Sequence, residues 1–386
     1  MTTVPAKLMS AEDVRRSLSV RDLTDEAQGQ HAMQMLLREI VEALRGVWGC
    51  EVLTHRESPI VSLEENYDAL HYPLEGVARD ARYTRYLNGG VILRTQTSVM
   101  IPSLLRQLAE RREPWEGALL VCPGLVYRRD AIDRKHTGEP HQLDLWRVCC
   151  GKNPLGTEDL MWMVRRVSSA ALPDHAVRTV PAVHPYTKEG LQLDARDAAS
   201  GEWVEVGECG LASPDLLEEN GLDPARVSGL AMGLGLDRLL MLRKGMRDIR
   251  LLRSDDPRVA LQMLDLSPYR PVSDQPALAR DLSIAVPEDR TAEELGDRVR
   301  EALGRRSELV ESVEVVSETP YCELPPAAVE RLGISVGQKN TLLRVVLRDL
   351  RRALTDEEAN EVRDEIYAAV HEGAAWQWAS RSRRTT

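Results

Sequence analysis

Gln142 and Asp144, two apart in "HQLDLW", place an amide and a carboxylate on one face of an extended chain, because side chains at i and i+2 project to the same side of a strand. A primary ammonium group is the natural guest of such a pair. Arg128, in "YRRD", and Arg238, in "GLGLDRLLML", offer guanidinium groups that hold anions, and a guanidinium is tolerated in a protein interior only when it is paired.

The flanking residues predict the elements that must carry these groups. "GALLVC" and "HQLDLWRVCC" are apolar runs bounded by Pro, Gly and Asp and read as strands, with the polar "RRDAIDRKHTGEP" as the loop between them. "VSGLAMGLG" reads as a strand running directly into a helix, "LDRLLMLRKG", with Arg238 in its first turn. Gly233 and Gly235 let that backbone pass close to something, but Arg238 takes the third glycine position of a dinucleotide-binding fingerprint, and a P-loop is absent. Further strands are expected in "LQLDAR" and "EWVEVGECG", joined by "DAASG". Nearer the N-terminus, Met33, Leu36, Leu37, Ile40, Leu44 and Val47 recur at helical spacing and predict an amphipathic helix ending at Gly46 or Gly49.

Three prolines cluster between residues 267 and 281, and a regular alternation follows. It runs strand "ARDLSIAVP", a helix from Thr291 to near Leu303, strands "VESVEVVSE" and "TLLRVVLRDL", a helix from Thr355 to near His371, and a last strand "AAWQWAS". Thr291 with Glu294 and Thr355 with Glu358 are capping boxes. The order βαββαβ is that of a ferredoxin-like domain. The tail "SRSRRTT" reads as disordered.

A chain of 386 residues exceeds one core of ordinary size and predicts two domains. With 43% hydrophobic and 29% charged residues it has the composition of a soluble globular protein. No apolar run reaches membrane-spanning length and the start "MTTVPAKLMSAEDVRR" has no secretory pattern, so no membrane contact and a cytoplasmic location are expected. A net charge of -11 argues against a general nucleic-acid coat protein. The six cysteines form no C-x-x-C pair and read as buried free thiols of a reducing compartment. Phenylalanine is absent, beside 7 Trp and 9 Tyr, which is unusual for a chain with this much core to fill.

Taken in order, several stretches resemble those of a class II aminoacyl-tRNA synthetase, and most closely the single-chain, mitochondrial-like phenylalanyl-tRNA synthetases. "YRRD" resembles that family's motif 2 and "GLGLDR" its motif 3; "ILRTQTS", "HPYT" and "ENYDALHYP" resemble its L-R-T-H-T-S, F-P-F-T and D-N-F-D-x-L segments. Residues 267 to 373 resemble the ferredoxin-fold anticodon-binding domain that ends such chains. The resemblance implies an α+β fold: a catalytic domain over residues 1–266 with an antiparallel sheet and flanking helices, then an anticodon-binding domain over 267–386.

The implied activity is ATP- and Mg2+-dependent activation of phenylalanine or a close aromatic analogue, then transfer to a tRNA, by a monomer or homodimer. Carried over by position, Arg128 would bind the α-phosphate and the amino-acid carboxylate, Asp130 would belong to the same ATP motif, and Arg238 would stack on adenine and reach the γ-phosphate. Glu205 would face the Mg2+. Gln142 and Asp144 would hold the α-ammonium, with Gln96 and Ser98 near the substrate's polar end. His184 and Tyr186 would line the side-chain pocket over a floor at Ala231, and Arg344, Arg348 and Lys339 would face tRNA phosphates.

This chain departs from the family at Pro140, in place of a stacking phenylalanine, at Gln96 for His, at Asp144 for Glu, and at His184 and Tyr186 for two phenylalanines. The polar pocket would suit tyrosine or a modified phenylalanine. A chain without Phe can also be made when charged phenylalanine tRNA is scarce, which would benefit an enzyme that supplies that tRNA. Two alternatives stand beside this one: a synthetase paralogue feeding a biosynthetic pathway, and a non-catalytic tRNA-binding or regulatory protein. Taken singly, each residue also has a plain structural role: Arg128, Arg129 and Asp130 as a surface ion-pair cluster, Asp237 and Arg238 as a helix-start pair, Gln142 and Asp144 as a solvated strand face, and the C-terminal arginines as part of a mixed-charge surface.

Overall fold

Helices α1 (Ala11–Leu18) and α2 (Ala32–Trp48) open the chain in the computed structural model, which describes residues 8–76, 79–80, 82–272 and 275–376. His31 caps α2 with its ring, Nδ1 accepting from the Met33 N–H at 3.1 Å, while the Gln34 side chain returns to the His31 N–H at 3.2 Å. The helix passes through Gly46 and stops at Gly49, whose φ of 57° lies in the left-handed region that glycine enters without steric cost. Met33, Leu36, Ile40 and Leu44 are buried as the periodicity requires; Val47, in the last turn, is 53% exposed instead.

Strands β1 (Glu51–Thr54), β2 (Ile60–Ser62) and β3 (Val91–Leu93) follow, with α3 (Leu63–Asn66) after β2 and α4 (Ile101–Ala109) after β3. Next come β4 (Gly117–Leu125), β5 (His141–Cys150), α5 (Thr157–Ala171), β6 (Val177–Pro181), β7 (Thr187–Arg196), β8 (Trp203–Ala212), α6 (Pro214–Glu219), β9 (Val227–Gly235), α7 (Leu236–Lys244) and α8 (Pro257–Ala260). The main sheet has the order β1-β4-β5-β9-β8-β7-β6, antiparallel except where β1 runs parallel to β4. Helices α2, α5 and α7 pack together on one face. On the other, Tyr67, Leu70, Met100, Ile101 and Leu104 pack with Leu120, Cys122, Trp146 and Ala231. An α+β fold built on an antiparallel sheet is therefore present.

Two compact units emerge from the chain. The first takes Met1–Arg128, Glu139–Leu252 and Pro257–Arg270; the second takes Arg129–Gly138, Arg253–Asp256 and Pro271–Thr386. In the second, β10 (Leu278–Pro287), α9 (Ala292–Leu303), β11 (Val310–Pro320), α10 (Pro326–Leu332), β12 (Gln338–Leu347) and α11 (Asp356–Val370) form a three-stranded antiparallel sheet of order β10-β12-β11 with helices on it. Both expected capping boxes are made, Thr291 with Glu294 and Thr355 with Glu358. Ile284, Val286, Val299, Val345 and Ile366 belong to its core.

Residues 129–138 join this unit by adding Ile132 to that core and its carbonyl to the Val313 N–H at 2.8 Å. Of the expected last strand at 374–380, residues 374–376 form no strand; the remainder and the tail after it lie outside the described residues. All six cysteines are free, but only Cys122 and Cys209 are buried. Cys322, on an exposed turn, corrects the expectation of uniformly buried thiols.

Asp237 answers for its place in an apolar run by being a structural clamp. It is 2% exposed, and its carboxylate accepts the His141 backbone N–H at 2.5 Å and the His141 ring Nδ1 at 3.0 Å. The other ring nitrogen accepts the Leu23 N–H at 2.9 Å. One carboxylate thus ties the start of α7 to the start of β5 and, through the ring, to the N-terminal segment. Asp237→Ala would leave buried donors unmet. It is expected to lower the stability of the first unit by about 3 kcal/mol, read as an earlier urea midpoint at unchanged slope.

Candidate functional site

The register of three adjacent strands assembles the site. Asp144 on β5 lies opposite Gly233 on β9, and Gly233 lies opposite Glu208 on β8. One step along, Trp146 faces Ala231 and Ala231 faces Gly210; in the other direction, Gln142 faces Gly235. Because alternate residues share a face, β9 presents Ala231, Gly233 and Gly235 between the larger side chains of β5 and β8. The result is a trough with a floor of small residues and acidic walls. A Cβ placed on Gly233 would sit 3.7 Å from Glu208 Cγ and 3.8 Å from Asp144 Oδ2, so the Glu208 side chain and the Asp144 carboxylate flank one point of the floor.

Asp144 is buried and fixed by three donors: Ser98 Oγ at 2.7 Å, Thr97 Oγ1 at 3.1 Å and Trp146 Nε1 at 3.1 Å. Gln142 accepts the Thr97 N–H at 3.3 Å, so one short segment steadies both members of the predicted ammonium clamp. Gln96 donates to the Asn66 carbonyl at 2.8 Å and accepts from the Tyr72 hydroxyl at 2.6 Å. Burial raises the Asp144 carboxyl from 3.8 to about 6, against the Ser98, Trp146 and Thr97 hydrogen bonds and with help from the nearby Glu208 charge.

Tyr186 closes the trough. It is 4% exposed, stacks on Trp146 with ring centroids 6.1 Å apart, and donates its hydroxyl to Glu208 Oε1 at 3.0 Å. His184 Nε2 lies 2.9 Å from the other Glu208 oxygen. Burial and the Glu208, Tyr72 and Asp144 charges push the Tyr186 hydroxyl well above its ordinary range, so it stays a donor. Burial also raises the Glu208 carboxyl, but the His184 contact and the Tyr186 hydrogen bond outweigh it, and the group is held below its ordinary value.

At the rim, Arg128 donates Nε to the Thr95 carbonyl at 2.8 Å, and its charge reaches Tyr72 and Glu208. Arg238 donates to the Glu205 carbonyl at 3.0 Å, which puts the exposed Glu205 carboxylate and the Arg238 guanidinium at neighbouring positions where β8 meets α7. Ala231 lies buried in the floor as expected. The first unit thus gathers Gln96, Ser98, Arg128, Gln142, Asp144, His184, Tyr186, Glu205, Ala231 and Arg238 on one sheet and its rim.

Asp130 belongs to the second unit, where its carbonyl accepts from Arg300. In that unit each cation expected at phosphates has a carboxylate partner: Arg344 with Asp281 at 2.9 Å, Arg348 with Glu311, and Lys339 with Glu318 at 2.8 Å.

Glu208, Tyr72 and Thr97 were not anticipated. Thr97 stands between two residues that were, and the signal there was adjacency. Tyr72 lies on an irregular loop with no period to betray it. Glu208 is masked by a register shift in the pairing of β7 with β8, where Leu193 faces Gly207 but Asp194 faces Glu205. Simple alternation from Glu205 therefore misassigns the face of the next acid.

The profile of the tRNA synthetases class II core domain (F) matches residues 17–263. The chain belongs to this family. Among curated relatives, the phenylalanine--tRNA ligase alpha subunit of Prochlorococcus marinus (strain MIT 9313) is 36% identical over 243 residues, covering 61% of this chain and 68% of that one. That of Fusobacterium nucleatum subsp. nucleatum is 31% identical over 239 residues, covering 58% and 67%. A second Prochlorococcus marinus protein of that name (strain NATL2A) is 37% identical over 193 residues, and the chain spans about half, 54%, of its length. Among solved structures, pyrrolysyl-tRNA synthetase from Desulfitobacterium hafniense is similar at 20% identity and a TM-score of 0.44 over 63% of this chain and 78% of that one.

The raised Asp144 carboxyl makes a stability prediction for this class II core. Its folded pKa exceeds the unfolded value, so folding favours the protonated acid, and that stability is present below about pH 4 and lost as pH rises through about 6. Asp144→Asn does not titrate. The melting temperature of the variant relative to the parent is expected to rise between about pH 4 and about pH 7 and then level off; a difference constant with pH would show that folding does not desolvate Asp144.

Proposed function

We propose that the chain activates phenylalanine or a close aromatic analogue with ATP and transfers it to the 3′ end of a tRNA. The observation that carries this reading is an ammonium clamp on one sheet, Asp144 with Gln142, and two arginines at its rim, Arg128 and Arg238, in a class II tRNA synthetase core. Relatives that match about three fifths of the chain carry the name phenylalanine--tRNA ligase alpha subunit.

In this mechanism the α-ammonium sits on Asp144, which its three donors hold still. Arg128, aimed by the Thr95 carbonyl, turns the substrate carboxylate toward the α-phosphorus. A carboxylate oxygen bonds to that phosphorus, the bond to pyrophosphate breaks, and pyrophosphate leaves. The tRNA hydroxyl then attacks the acyl carbon, and AMP departs. No enzyme nucleophile is required; positioning and the compensation of developing negative charge do the work. The exposed Glu205 carboxylate, a hard oxygen donor beside Arg238, would help hold a Mg2+ that compensates phosphate charge when bound. Among the described residues no group of three His, Cys, Asp or Glu side chains could hold a metal by itself.

The second unit, as an anticodon-binding domain over residues 267–386, and the single-chain arrangement are parts of the same proposal. For its cations to meet phosphate, Arg344 and Lys339 would have to exchange a carboxylate for it. Among the described residues no helix is long and apolar enough to cross a membrane, consistent with work on soluble substrates. A non-catalytic role is favoured by Pro140 alone: it gives its carbonyl to the Val126 N–H at 2.9 Å and offers no aromatic face for adenine.

Amino-acid-dependent exchange of labelled pyrophosphate into ATP separates the two readings. Exchange with an aromatic amino acid is expected, falling by about 10²–10³-fold in Arg128→Ala and in Arg238→Ala. A folded protein with no exchange for any amino acid would remove the activating reading.

A further inference from the structure

The side-chain end of the trough is acidic, and this bears on what the enzyme accepts. We propose that the pocket selects an aromatic amino acid whose ring carries a hydrogen-bond donor, a hydroxyl or an amino group, read by the Glu208 carboxylate, and that it discriminates against phenylalanine itself. This rests on the activating function proposed above and names its substrate class.

Three observations place Glu208 in this role. First, it occupies the wall across the floor from Asp144: Glu208 Cγ lies 3.7 Å and Asp144 Oδ2 3.8 Å from a Cβ position on Gly233, so a substrate whose ammonium is on Asp144 lies beside the Glu208 side chain. Second, Glu208 is held from behind. Tyr186 takes one oxygen at 3.0 Å and His184 the other at 2.9 Å, which fixes the carboxylate in position and leaves acceptor capacity on both oxygens. Third, Glu208 keeps 38% of its side-chain surface accessible while His184 behind it keeps 11% and Tyr186 is buried.

A phenyl ring pressed against this carboxylate would strip water from it and return no hydrogen bond. That cost is what makes sites built to bond a substrate OH or NH reject the analogue lacking it. The surrounding groups agree. Tyr72 places its ring 6.3 Å from that of Tyr186 but turns its hydroxyl to Gln96 at 2.6 Å, so the wall offers stacking surface for an aromatic ring as well as an acceptor at its end. The groups that would also meet the ring are Trp146, stacked behind Tyr186, and Ala231 below it. Neither competes for the donor.

The test compares phenylalanine, tyrosine, meta-tyrosine, 4-aminophenylalanine and 3-aminophenylalanine in pyrophosphate exchange, with the full chain and with Glu208→Ala and Glu208→Gln, and follows binding of the same amino acids by thermal shift. At least one donor-bearing analogue is expected to exceed phenylalanine in kcat/KM by about a hundredfold or more. That preference is expected to collapse in Glu208→Ala, chiefly by a gain for phenylalanine, and to persist in part in Glu208→Gln, which keeps an acceptor. Phenylalanine as the best substrate of the unaltered chain, or a preference indifferent to Glu208→Ala, would overturn the inference and leave the activating function standing. Glu208-dependent binding of donor-bearing analogues without exchange would do the reverse. If there is neither exchange nor binding by a folded protein, both fall.

Discussion

The Asp237 carboxylate bonds the backbone and the ring of His141, and the site depends on where this puts two strands. His141 begins β5 and Asp237 follows directly on the end of β9, so the clamp lies at the ends of the two strands that carry Asp144 and the glycine floor. Strand pairing admits slips of one residue that turn every side chain to the opposite face. A slip between β5 and β9 would pull a buried carboxylate away from its donor, in addition to burying Gln142 and Asp144 among the helices. The motif that holds Arg238 thus carries beside it the acid that fixes the register of β5 against β9. Arg238 lies at the rim, bonded to the Glu205 carbonyl, while its neighbour is committed inward.

A second constraint follows from burying a charge at Asp144. The group is surrounded by Ser98, Thr97 and Trp146, each of which donates to it, and it still lies well above its ordinary range because burial outweighs them. Asp144 is thus a carboxylate that burial penalises, and the Glu208 charge adds to that cost. A cationic group at Asp144 offsets it, and the fixed donors hold the carboxylate at one geometry.

Where local chemistry and tertiary structure agree, the sequence was readable. β5 and β9 begin and end at the residues expected, His141 to Cys150 and Val227 to Gly235, the first bounded by Pro140 and Gly151. The capping boxes of α9 and α11 are local by nature and were legible for the same reason. Most members of the ammonium clamp and its supports could be named because i and i+2 spacing survives in a regular strand. The signal failed where regularity does. The shift of register in β8 hid Glu208, the loop around Tyr72 has no period, and nothing local in "RRDAIDRKHTGEP" shows that Ile132 completes a core built from residues 280 to 370. Nor can a mixture of acids and arginines reveal which pairs will form; Arg344 with Asp281 is decided by the pairing of β10 with β12.

The absence of phenylalanine takes on a structural meaning at the same place. A tyrosine can substitute for phenylalanine in a core only if its hydroxyl finds a partner, since an unmet buried hydroxyl costs about as much as the ring's burial gains. Around the trough these partners exist: Thr84 for Tyr67 at 2.5 Å, Gln96 for Tyr72 and Glu208 for Tyr186. Glu208 is a polar side chain that an all-phenyl pocket would have no use for. Replacing a phenylalanine there is thus not one substitution but a pair, a hydroxyl and the acceptor that satisfies it. Once Glu208 is present to receive Tyr186, its carboxylate keeps acceptor capacity beyond that one bond. Whatever first removed phenylalanine from the chain, the compensation that a tyrosine demands inside a binding pocket necessarily changes what the pocket can bind.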